Sequence, residues 1–126
     1  MMPTIKEERL ENGLRIVFVD ESNRYFGDYH RVCVVATIVC KLSELLSENA
    51  DDKEFLSQAI ASLGEELKVE KRFERMGVPT ADVEQVRAAM VDDFLRNSSP
   101  YLSRMSYPLT LVKAELKKRP TRNYYG

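Results

Sequence analysis

Residues 29–41 read Tyr29-His30-Arg31-Val32-Cys33-Val34-Val35-Ala36-Thr37-Ile38-Val39-Cys40-Lys41. Between Arg31 and Lys41 nothing is charged, and the run is dominated by β-branched side chains. Such side chains are stiff at χ1 and pack well on a pleated surface. The run is too short to cross a membrane as a helix, which needs about 20 apolar residues. With both of its faces apolar, it predicts a central strand covered on both sides. The fold then depends on what pairs with this strand and what packs against it.

Toward the N-terminus, Ile5 to Leu10 alternates loosely and is followed by Glu11-Asn12-Gly13-Leu14. Asn-Gly is a strong hairpin signal, because both residues tolerate the positive φ of a type I′ turn. From Leu14 to Asp20, Leu14, Ile16 and Phe18 share one face and Arg15, Val17 and Val19 the other. Residues 4–20 therefore predict a β-hairpin. The stretch from Asp20 to Asp28 is polar, carries Tyr25 and Phe26, and reads as a loop.

Toward the C-terminus, residues 42–50 receive no element. Asp51 with Glu54 three positions later has capping-box spacing. Phe55, Leu56, Ala59, Ile60 and Leu63 then form one helical stripe, with Gly64 as its stop. In residues 65–77, Leu67, Val69 and Phe73 share a strand face that Lys71 interrupts, while Val69, Phe73 and Met76 would also make a helical stripe. The bracketing Gly64 and Gly77-Val78-Pro79 favour a strand. Thr80 is placed to cap a helix whose stripe is Val83, Val86, Met90, Val91 and Phe94, ending at Asn97-Ser98-Ser99-Pro100. Leu109, Val112 and Leu116 mark a last helix from about Pro108. The order β-β-β-α-β-α-α predicts an α+β domain over residues 1–126, with an antiparallel sheet of about four strands packed on two to three helices. Residues 119–126 read as a loose basic tail.

The motifs Leu10-Glu11-Asn12-Gly13-Leu14, Gly27-Asp28 opening a long strand, and Pro100-Tyr101-Leu102 after the second long helix resemble those of small uncharacterised bacterial α+β proteins, of the domain-of-unknown-function kind. The resemblance spans roughly residues 8–103. It implies the same fold class and a bacterial origin, and it implies no activity.

The chain has 126 residues, 19 Lys and Arg, 20 Asp and Glu, and a formal net charge of −1. That balance excludes a uniformly basic nucleic-acid binder, and 44% hydrophobic residues exclude a disordered chain. The start lacks a signal-peptide core and no run is long enough to span a bilayer, so the expectation is a soluble, cytoplasmic protein without membrane contact. Cys33 and Cys40 lie seven apart on one strand, hence on opposite faces and roughly 23 Å apart. Neither a disulfide between them nor a shared zinc site fits that spacing.

Three constellations carry possible chemistry. Loop 20–30 gathers Asp20, Glu21, Arg24, Tyr25, Asp28 and His30, the one histidine. Carboxylates with an imidazole suit a ligand or partner contact, or a divalent metal or acid–base pair. No second His or Cys joins them, so no metal site, catalytic residue or cofactor is assigned. The second is the C-terminal charge. Residues 96–126 hold seven basic residues and one acid, whereas residues 1–95 hold 12 basic and 19 acidic. Lys113, Lys117, Lys118, Arg119 and Arg122, with Tyr124 and Tyr125, suit an anion or partner contact; segment 113–125 could grip phosphates and stack a base. The third is the stretch 65–75, with four charges of each sign, which reads as a solvated face that discourages edge pairing. No phosphate loop or nucleophile elbow is present. The leading expectation is a non-enzymatic interaction module that self-associates as a homodimer or takes a protein partner. Nucleic-acid or anionic-ligand binding comes second, and a carboxylate/His enzyme at loop 20–30 third.

Overall fold

The computed structural model describes residues 4–48 and 50–118. Five strands form one antiparallel sheet: β1 (Thr4–Arg9), β2 (Arg15–Asp20), β3 (Asn23–Phe26), β4 (Tyr29–Lys41) and β5 (Glu66–Pro79). Four helices accompany them: α1 (Leu42–Glu48), α2 (Lys53–Leu63), α3 (Val83–Leu102) and α4 (Tyr107–Lys117). The α+β class and the strand assignment of 66–79 agree with the sequence pattern. The sheet has one more strand than expected, because the loop after Asp20 contains β3, and α1 is an additional helix, built on Leu42, Leu45 and Leu46.

Strand β4 is the centre of the sheet. On one side it pairs with β2, Arg15 opposite Val39 through Asp20 opposite Val34. Further along the same side it pairs with β3, Asn23 opposite Arg31 and Arg24 opposite His30. The offset is the same in both pairings, so β2 and β3 are two lengths of one interrupted strand. At the break, the Glu21 N–H donates to the Cys33 carbonyl (2.9 Å). The Ser22 hydroxyl accepts from the Cys33 N–H at 2.9 Å and lies 3.4 Å from the Cys33 carbonyl. A serine side chain thus does for β4 what a strand backbone does elsewhere. On its other side β4 pairs with β5 along almost its whole length, from Tyr29 opposite Pro79 to Lys41 opposite Glu66.

The helices cover one face. Leu14, Ile16, Phe18, Val34, Ala36, Ile38, Cys40 and Leu67 form a single buried cluster with Leu42, Leu45, Leu56, Ala59, Val91, Leu102, Leu111 and Val112. The opposite face of β4, Cys33, Val35 and Val39, is also buried but lies outside that cluster. Its cover is not a second helical layer. Arg72, beside Val35 on β5, reaches across β4 to the Glu21 carboxylate and passes 3.4 Å from the Cys33 Sγ. Arg31 bonds Glu74 (3.1 Å) and Asn23 (2.8 Å) on the same side. Long side chains lay their aliphatic stems over the valines and leave their charges in water. Cys33 and Cys40 are free, buried and on opposite faces, as the odd spacing predicts.

Several local expectations need correction. Asn12 does not have positive φ; in this turn only Gly13 does, at +91°. The Gly13 N–H donates to the Leu10 carbonyl (3.0 Å) and the Leu10 N–H to the Leu14 carbonyl (2.8 Å). That pattern fits a type I turn followed by a left-handed glycine rather than type I′. The reason is that Asn12 is used for its side chain: Nδ2 donates to the carbonyls of Leu102 and Arg104 (2.8 Å to the latter), and Oδ1 accepts from the Leu14 N–H (3.1 Å). Helix α3 runs past Asn97-Ser98-Ser99-Pro100 to Leu102. Leu102 is fully buried and its carbonyl is held by Asn12, which outweighs the missing N–H of Pro100. Thr80 and Asp51 do not act as side-chain caps; α2 and α3 begin after Asp52 and Asp82, neither of which makes a capping bond. The expected tail 119–126 lies outside the described residues.

Candidate functional site

The residues singled out in loop 20–30 do not converge. Asp20 faces the helices, where its Oδ2 accepts from Arg87 Nη1 of α3 (2.8 Å) and its Oδ1 from the Ser22 N–H (2.9 Å). His30 lies four residues further along β4 than Val34, the partner of Asp20, which is roughly 13 Å. There His30 Nε2 meets the Thr80 hydroxyl (3.0 Å), and the Asp28 carbonyl accepts from both the Thr80 N–H (3.0 Å) and its hydroxyl (3.2 Å). Arg24 pairs with His30 across the β3–β4 hairpin, and Tyr25 reaches toward Gly77 of β5. Asp28, His30 and Thr80 thus tie the hairpin to the segment that leads into α3, while Asp20 holds the second turn of α3. Beside them Phe26, Tyr29 and Met76 are exposed. Among the described residues no group of three His, Cys, Asp or Glu side chains is arranged to hold a metal.

The basic C-terminal set is only partly within the described residues. The Lys113 ammonium sits 5.8 Å from the centre of the Phe55 ring, and Lys118 pairs with Glu115 one turn earlier (2.9 Å). Lys113 and Lys117 flank a shallow hollow floored by Phe55 and Leu116. Arg119, Arg122, Tyr124 and Tyr125 lie outside the described residues. Among the described residues no helix is long and apolar enough to cross a membrane.

A concavity larger than this hollow lies elsewhere, between β5 and α3. It is a groove of about 630 Å³ floored by Phe73, Met90 and Phe94, with Asn97, Ser98 and Tyr101 toward the end of the helix. Its origin is geometric. Strand β5 has 14 residues and, among the described residues, is paired only with β4, whereas α3 packs over both strands and no described element covers the outer margin of β5. Val34 lies opposite Phe73, Ala36 opposite Lys71 and Val32 opposite Arg75, so Lys71, Phe73 and Arg75 all stand on the helix side of the sheet. Phe73 packs against Phe94 (centroids 5.3 Å apart), and Phe94 meets Phe18 edge-on (5.7 Å). The groove floor is therefore continuous with the core.

The charges around the groove fall into two sets. Glu74 is bonded to Arg31, whose hydrogen bond holds its carboxyl below the usual value. Arg72 is bonded to Glu21, which raises its pKa further, and Asp93 pairs with Arg96 (3.2 Å). Lys71 and Arg75 have no ionic partner among the described residues. The sequence signal for this site was the interruption of the Leu67–Val69–Phe73 alternation by Lys71. A lysine on the core-facing side of a strand marks the place where the helical cover stops.

Compared with protein families, curated proteins and solved structures, the chain finds no match in any of the three.

Proposed function

We propose that this protein is a non-enzymatic interaction module whose working surface is the free edge of β5 and the groove between β5 and α3, and that it takes an extended segment of another polypeptide as an added strand. The observation that carries this reading is the coincidence of an unpaired 14-residue edge with an aromatic-floored groove. On an antiparallel edge strand, every second residue turns its N–H and C=O away from its neighbour. Those groups supply affinity for an incoming strand, and the adjacent groove receives its alternate side chains. Charged side chains on such an edge deter indiscriminate pairing. The bulge between His30 and Val32, facing Arg75 and Val78, ends the regular edge, so the usable length is residues 66–75.

Self-association, expected from the sequence, competes for the same edge. An antiparallel two-fold pairing that places Phe73 against its own copy also places Lys71 against Arg75 on the groove side, a like-charge contact. The reading therefore favours a strand from a different protein.

The test is selection of displayed random heptapeptides on the immobilised full-length protein, followed by amide exchange of the complex. Recovered sequences with period-two alternation, protecting β5 amides, support the reading. Recovery of unpatterned sequences, or protection confined to the 23–30 hairpin or to α4, overturns it.

A further inference from the structure

Resting on the strand-addition reading above, we infer that the groove selects an acidic extended segment, with carboxylates flanking an apolar residue in the order acidic–x–apolar–x–acidic. Three observations lead there. Lys71 and Arg75 stand on the groove side of β5 with Phe73 between them, four residues or roughly 13 Å apart. Both are exposed and neither has an ionic partner among the described residues, whereas the other charged residues lining the groove, Arg72, Glu74 and Asp93, are each paired. Phe73 is only partly buried although it contacts Phe94.

The geometry of strand pairing turns these facts into a pattern. On one face of an antiparallel pair, residues directly opposite lie within side-chain contact, and the next residues on that face are two positions away. A strand that sets an apolar residue opposite Phe73 must set its residues two before and two after opposite Arg75 and Lys71. Carboxylates there meet two unpaired cations beside an apolar floor, where the attraction is less screened than on an open surface. Lysines there meet repulsion. Selectivity comes as much from that repulsion as from the attraction.

The experiment uses two capped synthetic peptides, Thr-Glu-Thr-Val-Thr-Glu-Thr and Thr-Lys-Thr-Val-Thr-Lys-Thr, titrated into the ¹⁵N-labelled full-length protein, together with the double variant K71E/R75E. Both substituted positions are exposed, and circular dichroism checks that the variant folds. The expected result is that the acidic peptide shifts and protects β5 and α3 amides and binds at least about tenfold more tightly than the lysine peptide, a preference that shrinks with salt and reverses in the variant. Equal binding of both peptides along β5 overturns the charge selection while leaving strand addition standing. No effect of either peptide on β5 overturns both. A concentration-dependent dimer that itself protects the β5 amides assigns the edge to a second copy, and overturns both as well.

Discussion

Asn12, in the β1–β2 turn, donates through Nδ2 to the carbonyl of Leu102, ninety positions away at the end of α3. One short polar side chain thereby fastens the first hairpin to the longest helix. It also satisfies helix-end carbonyls that would otherwise be left without a donor.

Replacing Asn12 by Ala strands the Leu14 N–H and two carbonyls in or near the core. The expected loss is about 2–4 kcal/mol, or a fall in Tm of roughly 8–16 °C. Asn12→Asp retains the acceptor for Leu14 but sets a carboxylate against the Leu102 and Arg104 carbonyls, so it should be no better than alanine. Urea titration of the three proteins checks both statements; an Asn12→Ala midpoint equal to wild type contradicts them.

Ser22→Ala should cost about 1–3 kcal/mol, because the fully buried Cys33 loses the acceptor of its N–H. Ser22→Thr keeps the hydroxyl and should recover most of it. The Cys33 amide is the direct readout: its exchange with solvent quickens in the alanine variant and not in the threonine variant.

Burial pushes the Cys40 thiol up to about 11 from an ordinary value of 9.0. The folded state thus holds its proton longer than the unfolded state does. The stabilisation is fully present below pH 9 and is lost as pH rises toward 11. Equilibrium unfolding from pH 8 to 11, wild type against Cys40→Ala, should show the steeper decline in the wild type. Parallel declines would contradict the assignment.

Along residues 66–75, amide exchange should alternate, every second N–H being bonded to β4 and the others facing water. Differences of roughly a hundredfold between neighbours are expected. Uniform protection at dilute concentration would mean that the outer edge of β5 is already covered, which runs against the free-edge geometry.

The 13-residue strand, the two faces of its cysteines, the stripe of α2 and the α+β class were all legible in the order of residues. Each depends on periodicity, which is a local property of the chain: side chains alternate on a strand and recur every 3.6 residues on a helix. The strand reading of 65–77, ambiguous by period, was decided by Gly64 and Gly77-Val78-Pro79 at its two ends, and the observed strand runs on through Gly77 and Val78 to Pro79. Less legible were the elements whose residues serve distant partners. Asn12 reads as a positive-φ turn residue and is instead a clasp for α3. Ser22 and Asn23 read as loop and instead splice β2 to β3. Pro100 reads as a helix stop, yet the helix continues because Leu102 is buried.

The candidate site divides in the same way. By itself the sequence determined that residues 65–75 carry balanced charge with Lys71 breaking an apolar face, and that Asp20, Asp28 and His30 lie close along the chain. Only the tertiary structure decided that Asp20 and His30 take separate partners, Arg87 in the second turn of α3 and Thr80 just before that helix, and that Arg72 and Glu74 are neutralised by Glu21 at the β2–β3 break and Arg31 of β4. The same packing leaves Lys71 and Arg75 unpaired beside the Phe73–Phe94 floor. The physical reason is that periodicity assigns a residue to a face, whereas its ionic partner and its degree of cover depend on which strands adjoin it and where a helix stops. Those are contacts between segments remote in sequence, and no local pattern encodes them.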